Sequence, residues 1–215
     1  MHEQDDQPRV EALFEKLQED VSEERGPFAW LRARPTRTRL AATLATSLAT
    51  LGAVITLTGR TGFWQGRGAL WAVGVWILVA AVAVSVAAAL QPAHRPQWLG
   101  APRGLLAGGL LLAGLGAVVA SSNGALGGVG PARCLVMGLV TALPTATVAA
   151  FFDRRPRRGL AFAALAGGLT GTLAVQLLCP GSSGIAHQVG MHFGPAILVV
   201  AGGGALIALQ RKRVS

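Results

Sequence analysis

Six long stretches of this chain contain neither an acidic nor a basic residue. A helix needs about 20 apolar residues to cross the hydrocarbon core of a bilayer, and each stretch comes close to that length. Only 13% of the residues are charged, whereas soluble domains carry about 25%. The sequence therefore predicts an all-α fold, an integral membrane bundle of six transmembrane helices over residues 40–210. The predicted spans are Leu40–Thr58, Ala69–Leu90, Leu105–Ser121, Cys134–Phe152, Leu160–Leu178 and Phe193–Gln210.

Basic residues concentrate in alternate connections between these spans. Sixteen of the 19 lysines and arginines fall in the N-terminal tail, in the second and fourth connections or in the C-terminal tail. Cytoplasmic connections of membrane proteins carry this excess of positive charge. We therefore expect both termini in the cytoplasm, with residues 1–39 as an acidic tail and residues 211–215 as a short basic tail.

The N-terminal tail carries nine of the ten acidic residues of the chain. Its apolar side chains recur at helical spacing, which predicts a short amphipathic helix over about residues 8–24. Such a helix is too short to bury its own apolar stripe, and anionic lipid would repel it. We expect it to bind a partner, either another part of this protein or a second protein; the alternative is a solvated, frayed tail. The stripe consists of Val10, Leu13, Phe14, Leu17 and Val21, and the flanking acids are Glu11 and Glu15.

Two cysteines fall at matching ends of consecutive predicted helices. Cys134 begins the fourth span and Cys179 follows the fifth, so an antiparallel pair places both at the outer membrane surface. The loop after Cys179 carries His187, and His192 precedes the last span. These four residues could form a redox pair, a Cys/His site for a metal or another ligand, or simply pack as small side chains. The five-residue spacing of the histidines suits neither one face of an α-helix nor a standard zinc motif.

The predicted spans hold no acidic or basic side chain, whereas membrane enzymes and ion-coupled carriers usually place such groups inside the membrane. We therefore expect no enzymatic activity, no cofactor and no direct contact with nucleic acid. A small multi-pass transporter or permease subunit is the alternative function, and a structural or assembly factor is a third. Glycines four apart within the spans, such as Gly167 and Gly171, favour close helix packing over a hinged transporter helix.

The second half of the sequence combines Cys134, the basic loop Arg154–Arg158, a Gly/Ala-rich fifth span, Cys179-Pro180 and a histidine-bearing outer loop. This combination resembles the NrsF-like family of six-span inner-membrane anti-sigma factors, a layout that CarR shares. The resemblance implies a bacterial inner-membrane protein that takes part in stress-response signalling as a negative regulator of transcription. Such a protein would hold an extracytoplasmic-function sigma factor through its tail. An envelope, redox or light-linked signal, sensed at the cysteines and histidines, would release that factor.

Overall fold

The computed structural model describes residues 29–58, 68–90, 132–152, 159–179 and 184–212, together with 106, 108–114 and 116–117. Every regular element in these ranges is helical, which confirms the predicted all-α class for this part of the chain. The described residues between 106 and 117 are helical too. The elements are α1 (Ala29–Arg32), α2 (Thr36–Thr58), α3 (Ala69–Ala89), α4 (Arg133–Phe152), α5 (Gly159–Leu178), α6 (Ile185–His187), a π-helical turn (Gln188–His192, the π-turn) and α7 (Gly194–Lys212).

Five helices are long and apolar enough to cross a membrane. They are α2, α3, α4, α5 and a continuous stretch from Ile185 to Leu206 that includes the π-turn. Five of the six predicted spans thus coincide with helices that could cross a membrane, although the last of these begins at Ile185 rather than Phe193. The predicted span Leu105–Ser121 lies only partly within the described residues, and the predicted helix over residues 8–24 lies outside them.

Two units make up the chain, residues Met1–Arg34 and residues Pro35–Ser215. In the first unit, α1 ends where the backbone N–H of Arg34 donates to the carbonyl of Leu31 over 3.2 Å. The Arg34 guanidinium lies 5.7 Å from the centre of the Trp30 ring, a cation–π distance. All the longer helices belong to the second unit.

Helix α5 lies at the centre of the second unit and contacts α2, α3, α4 and α7. Its neighbours come close because it presents glycine where they cross. A Cβ atom on Gly171 would collide with the Gly138 carbonyl of α4, and one on Gly168 would lie 2.6 Å from the Ala196 Cα of α7. This geometry agrees with the close packing that the glycine spacing predicted, and it is how helices associate where no water drives them together.

The outward faces of the helices carry large apolar side chains. In water these surfaces would be aggregation sites, whereas hydrocarbon solvates them at no cost. Exposed apolar side chains of this kind are expected on helices that are long enough to span a membrane. Among the most exposed are Leu48, Leu57, Trp76, Val140, Leu143, Ile197 and Leu209.

Helix α2 joins the bundle through a polar stripe. Its buried residues are Arg39, Thr43 and Ser47, four apart. The Arg39 Nη1 donates to the Phe152 carbonyl at the end of α4 over 2.9 Å, and the hydroxyls of Ser47 and Thr145 lie 3.1 Å apart. The sequence placed Arg39 in the tail, because a charge normally marks the end of a span. The structure places it inside α2, 1% exposed, because its guanidinium satisfies a C-terminal carbonyl that no helix can pair internally.

Candidate functional site

The two cysteines meet at one end of the α4–α5 pair. Cys134 is the second residue of α4, and Cys179 directly follows α5, where its N–H still donates to the Val175 carbonyl over 2.9 Å. Because the helices are antiparallel, these positions share one end of the bundle, here named the cysteine end. The two Sγ atoms lie 3.9 Å apart and no disulfide joins them. The sequence predicted this proximity, and the structure brings the two residues together.

A histidine completes the group. His187 is the last residue of α6, and its Nε2 lies 3.4 Å from the Cys179 Sγ. The ligating atoms of Cys134, Cys179 and His187 all lie within 4.8 Å of one another. These three residues are named the Cys/His cluster. Cys179 and His187 are buried and Cys134 is half-buried, so the cluster is reached from the side of α4.

His192 lies beside the cluster and contacts His187. The two imidazole rings meet edge to face, with centres 4.9 Å apart and planes at 72°. The π-turn makes this contact possible, because the N–H of Phe193 bonds to the carbonyl of Gln188 five residues back and so brings positions five apart onto one face. The expectation that this spacing would not share a face is wrong, since it assumed α-helical periodicity. Single π turns of this kind occur frequently at functional sites.

Two glutamines that sequence reasoning missed lie next to the cluster. Gln176 precedes Cys179 by three residues on α5, and Gln188 follows His187. Both side chains are buried, and the Gln176 Nε2 donates to the Gln188 Oε1 over 3.0 Å. The signal in the sequence was one amide in an otherwise apolar span, where a buried polar group needs a partner. This bond ties the π-turn, and with it His187, to α5.

The cluster can act in two ways. Two thiols at van der Waals distance can lose two protons and two electrons to an external oxidant and form a disulfide, whose S–S bond is about 2.05 Å long. Thiolates and imidazole are also the preferred ligands of Zn²⁺ and Cu⁺. Simple packing accounts for two small cysteines but not for an imidazole nitrogen directed at one of them.

The predicted partner-binding residues Val10, Leu13, Phe14, Leu17, Val21, Glu11 and Glu15 all lie outside the described residues. Comparison with protein-family models, with curated proteins and with solved structures finds no match to this chain.

Proposed function

We propose that this protein is a membrane-embedded anti-sigma factor. Its N-terminal tail holds an extracytoplasmic-function sigma factor at the cytoplasmic face, and its Cys/His cluster senses the signal at the opposite face. The proposal combines the acidic amphipathic pattern of the tail, the charge distribution of the connections and the resemblance to six-span anti-sigma factors. It requires a physical route from the cluster to the tail.

Helix α4 supplies that route, and this observation carries the proposal. Cys134 lies at its first turn and Phe152 is its last residue, about 27 Å away at 1.5 Å per residue. At that far end the Phe152 carbonyl accepts the hydrogen bond from Arg39. Arg39 belongs to α2, the first long helix after the tail. A shift of α4 at the cluster would therefore change the contact that holds the first turn of α2.

The tail suits a basic partner. Its predicted helix sets acidic side chains around an apolar stripe, which favours a partner with an apolar groove and a positive rim. A sigma factor binds DNA and so needs basic surfaces, and an acidic helix can compete for them.

Purification of the full-length protein from solubilised membranes of its host tests the proposal. We expect a sigma factor to co-purify with the wild-type protein and to be lost from Phe14→Asp, because an unpaired charge in an apolar interface costs several kcal/mol. A loss of about 3 kcal/mol lowers the affinity about a hundredfold. Ala12→Asp adds the same charge on the predicted opposite face and serves as the matched control.

Two further results bear on the partner. Glu15→Gln removes a rim charge worth about 1 kcal/mol or less, so it should mainly reduce the salt dependence of binding. Absence of any sigma factor from the wild-type preparation would contradict the proposal and favour the transporter or permease subunit.

Cysteine labelling tests the orientation that the proposal needs. In intact, reduced cells, a membrane-impermeant maleimide should label Cys134, the more exposed of the two thiols. In a protein lacking both native cysteines, Arg155→Cys should stay unlabelled until the cells are permeabilised. The reverse pattern would place the tail outside the cytoplasm, beyond the reach of any sigma factor.

A further inference from the structure

The Cys/His cluster has the dimensions of a metal site. Zn²⁺ lies about 2.3 Å from thiolate sulfur and about 2.0 Å from imidazole nitrogen, so tetrahedral ligands lie about 3.8 Å (S···S) and about 3.5 Å (S···N) apart. The two Sγ atoms are 3.9 Å apart, and the Cys179 Sγ lies 3.4 Å from the His187 Nε2. The remaining pair lies within 4.8 Å, which a small rotation of the half-buried Cys134 side chain can shorten.

We propose that Cys134, Cys179 and His187 bind a divalent thiophilic cation of the Zn²⁺ class. Three separate elements, α4, the end of α5 and α6, deliver these three ligands to one point. A redox pair would need only the two sulfurs, whereas the imidazole nitrogen is a third ligand of the type that zinc sites use. An ion of this class would then be the ligand of the sensor proposed above.

Charge selects the class of ion. Two thiolates and a neutral imidazole balance the charge of a divalent cation, and a buried site with no net charge avoids the large cost of an uncompensated ion. Mg²⁺ and Ca²⁺ need several oxygen ligands. The only acidic residue beyond residue 24 is Asp153, which directly follows Phe152 at the opposite end of α4.

The surroundings hold the imidazole in place. The His192 ring packs edge to face against the His187 ring. The Gln176–Gln188 hydrogen bond fixes the π-turn to α5. Contacts behind a ligating histidine orient its ring and raise the affinity for the metal. His192 and Gln188 are thus positioning residues, and the fourth coordination position is left to water.

Binding has a defined proton balance. Each thiol that is protonated beforehand releases its proton as its sulfur–metal bond forms, so up to two protons leave for each cation bound. The bound ion joins the first turn of α4 to the end of α5 and to α6. That this change releases the sigma factor rests on the proposed function, whereas binding of the ion does not.

The test uses the full-length protein in detergent, with reduced thiols and with metal removed. Titration with Zn²⁺ should show one ion bound per chain with release of thiol protons, and Co²⁺ should give thiolate-to-cobalt charge-transfer absorption. Cys134→Ser and His187→Gln should each lower the Zn²⁺ affinity by a factor of about ten or more. His187→Cys keeps a ligand and should retain the absorption, which separates loss of the ligand from loss of the fold.

The controls distinguish the metal site itself from its proposed role in releasing the sigma factor. His2→Gln, a histidine substitution near the start of the chain, should leave Zn²⁺ binding unchanged. The proposed site would be overturned if the reduced wild-type protein failed to bind Zn²⁺, or if it bound Cu⁺ but not Zn²⁺. An unchanged Zn²⁺ affinity in His187→Gln would overturn it as well. Zinc binding without any co-purified sigma factor would leave the site standing and overturn only the proposed function.

Discussion

Helices α2 and α5 are both long and apolar, yet they are attached to the bundle in opposite ways. Of the most apolar 18-residue stretch of each helix, 72% is buried in α5 and 17% in α2. Hydropathy does not explain the difference, since both helices are long and apolar enough to cross a membrane. What differs is the kind of side chain each helix turns towards its neighbours.

Helix α5 turns small residues inward. At Gly168 and Gly171 the backbones of α7 and α4 come so close that no Cβ fits between them. Many weak dispersion contacts hold such an interface, and all of them must break together for the helices to part. We therefore expect the α4–α5–α7 group to move as one body, and its internal contacts are called permanent below.

Helix α2 turns polar residues inward. Arg39 and Ser47 make two hydrogen bonds to α4, and these are discrete contacts that can break and re-form singly. The helix that follows the tail is thus held by exchangeable contacts, whereas the helix at the centre is held by permanent ones. This division would allow α2 to loosen without unfolding of the rest of the bundle.

The largest effect should come from filling the close approach on α5. The Cβ of Gly168→Ala would lie 2.6 Å from a backbone atom of Ala196, so α7 must move away. Overpacking of this kind costs about 3 kcal/mol at the upper end of its usual range. SDS titration in mixed micelles measures the free energy of unfolding.

The matched change on α2 is Gly52→Ala. A Cβ at Gly52 meets nothing within 4 Å, so the substitution should be neutral or should stabilise by up to about 1 kcal/mol through helix propensity. Equal destabilisation by both substitutions would contradict the division into permanent and exchangeable attachments.

The next largest effect should come from Arg39→Met, which keeps the apolar stem and removes the guanidinium. Hydrogen bonds to charged groups contribute about 1.5–3 kcal/mol, so we expect a loss of about 2 kcal/mol. The exposed Arg37 offers the control, because Arg37→Met should change the unfolding free energy by less than about 0.5 kcal/mol. A similar loss in both variants would mean that the positive charge matters and the bond to Phe152 does not.

Much of the bundle could be predicted from the sequence, and the misses have physical causes. Apolar length alone located five spans, because the hydrocarbon thickness fixes it. Arg39 was placed in the tail, since a pattern of residues cannot show that a charge will find a carbonyl on another helix. The start of the last span was missed because His187, Gln188 and His192 are polar and yet buried.

The candidate site divides in the same way. The meeting of Cys134 and Cys179 follows from antiparallel connectivity and needs no knowledge of packing. The approach of His187 to Cys179 does not follow from it, because it depends on how α6 packs beside the end of α5. The contact between His187 and His192 depends on the π-turn, which changes which positions share a face. A local change of helix type leaves no periodic signal in the sequence.

A smaller effect is expected at the amide–amide contact that α5 makes near the cluster. Gln176→Met removes the amide that donates to Gln188, and a buried polar group left without its partner costs about 1–2 kcal/mol. The variant should also reduce the Zn²⁺ affinity, because the π-turn loses its link to α5. Thermal unfolding with and without Zn²⁺ measures both, and unchanged zinc stabilisation would show that His187 is oriented by packing alone.

The smallest effect should appear at the hydroxyl pair between α2 and α4. Ser47→Ala or Thr145→Ala alone should cost about 1 kcal/mol, the usual net contribution of a neutral hydrogen bond. The double variant should cost clearly less than the sum of the two, because neither hydroxyl then remains buried without the other. Thr46→Ala is the control, since that hydroxyl donates to the Ala42 carbonyl of its own helix. Strict additivity of the Ser47 and Thr145 effects in SDS titration would show that the two hydroxyls do not interact, and would leave Arg39 as the contact that holds α2 to α4.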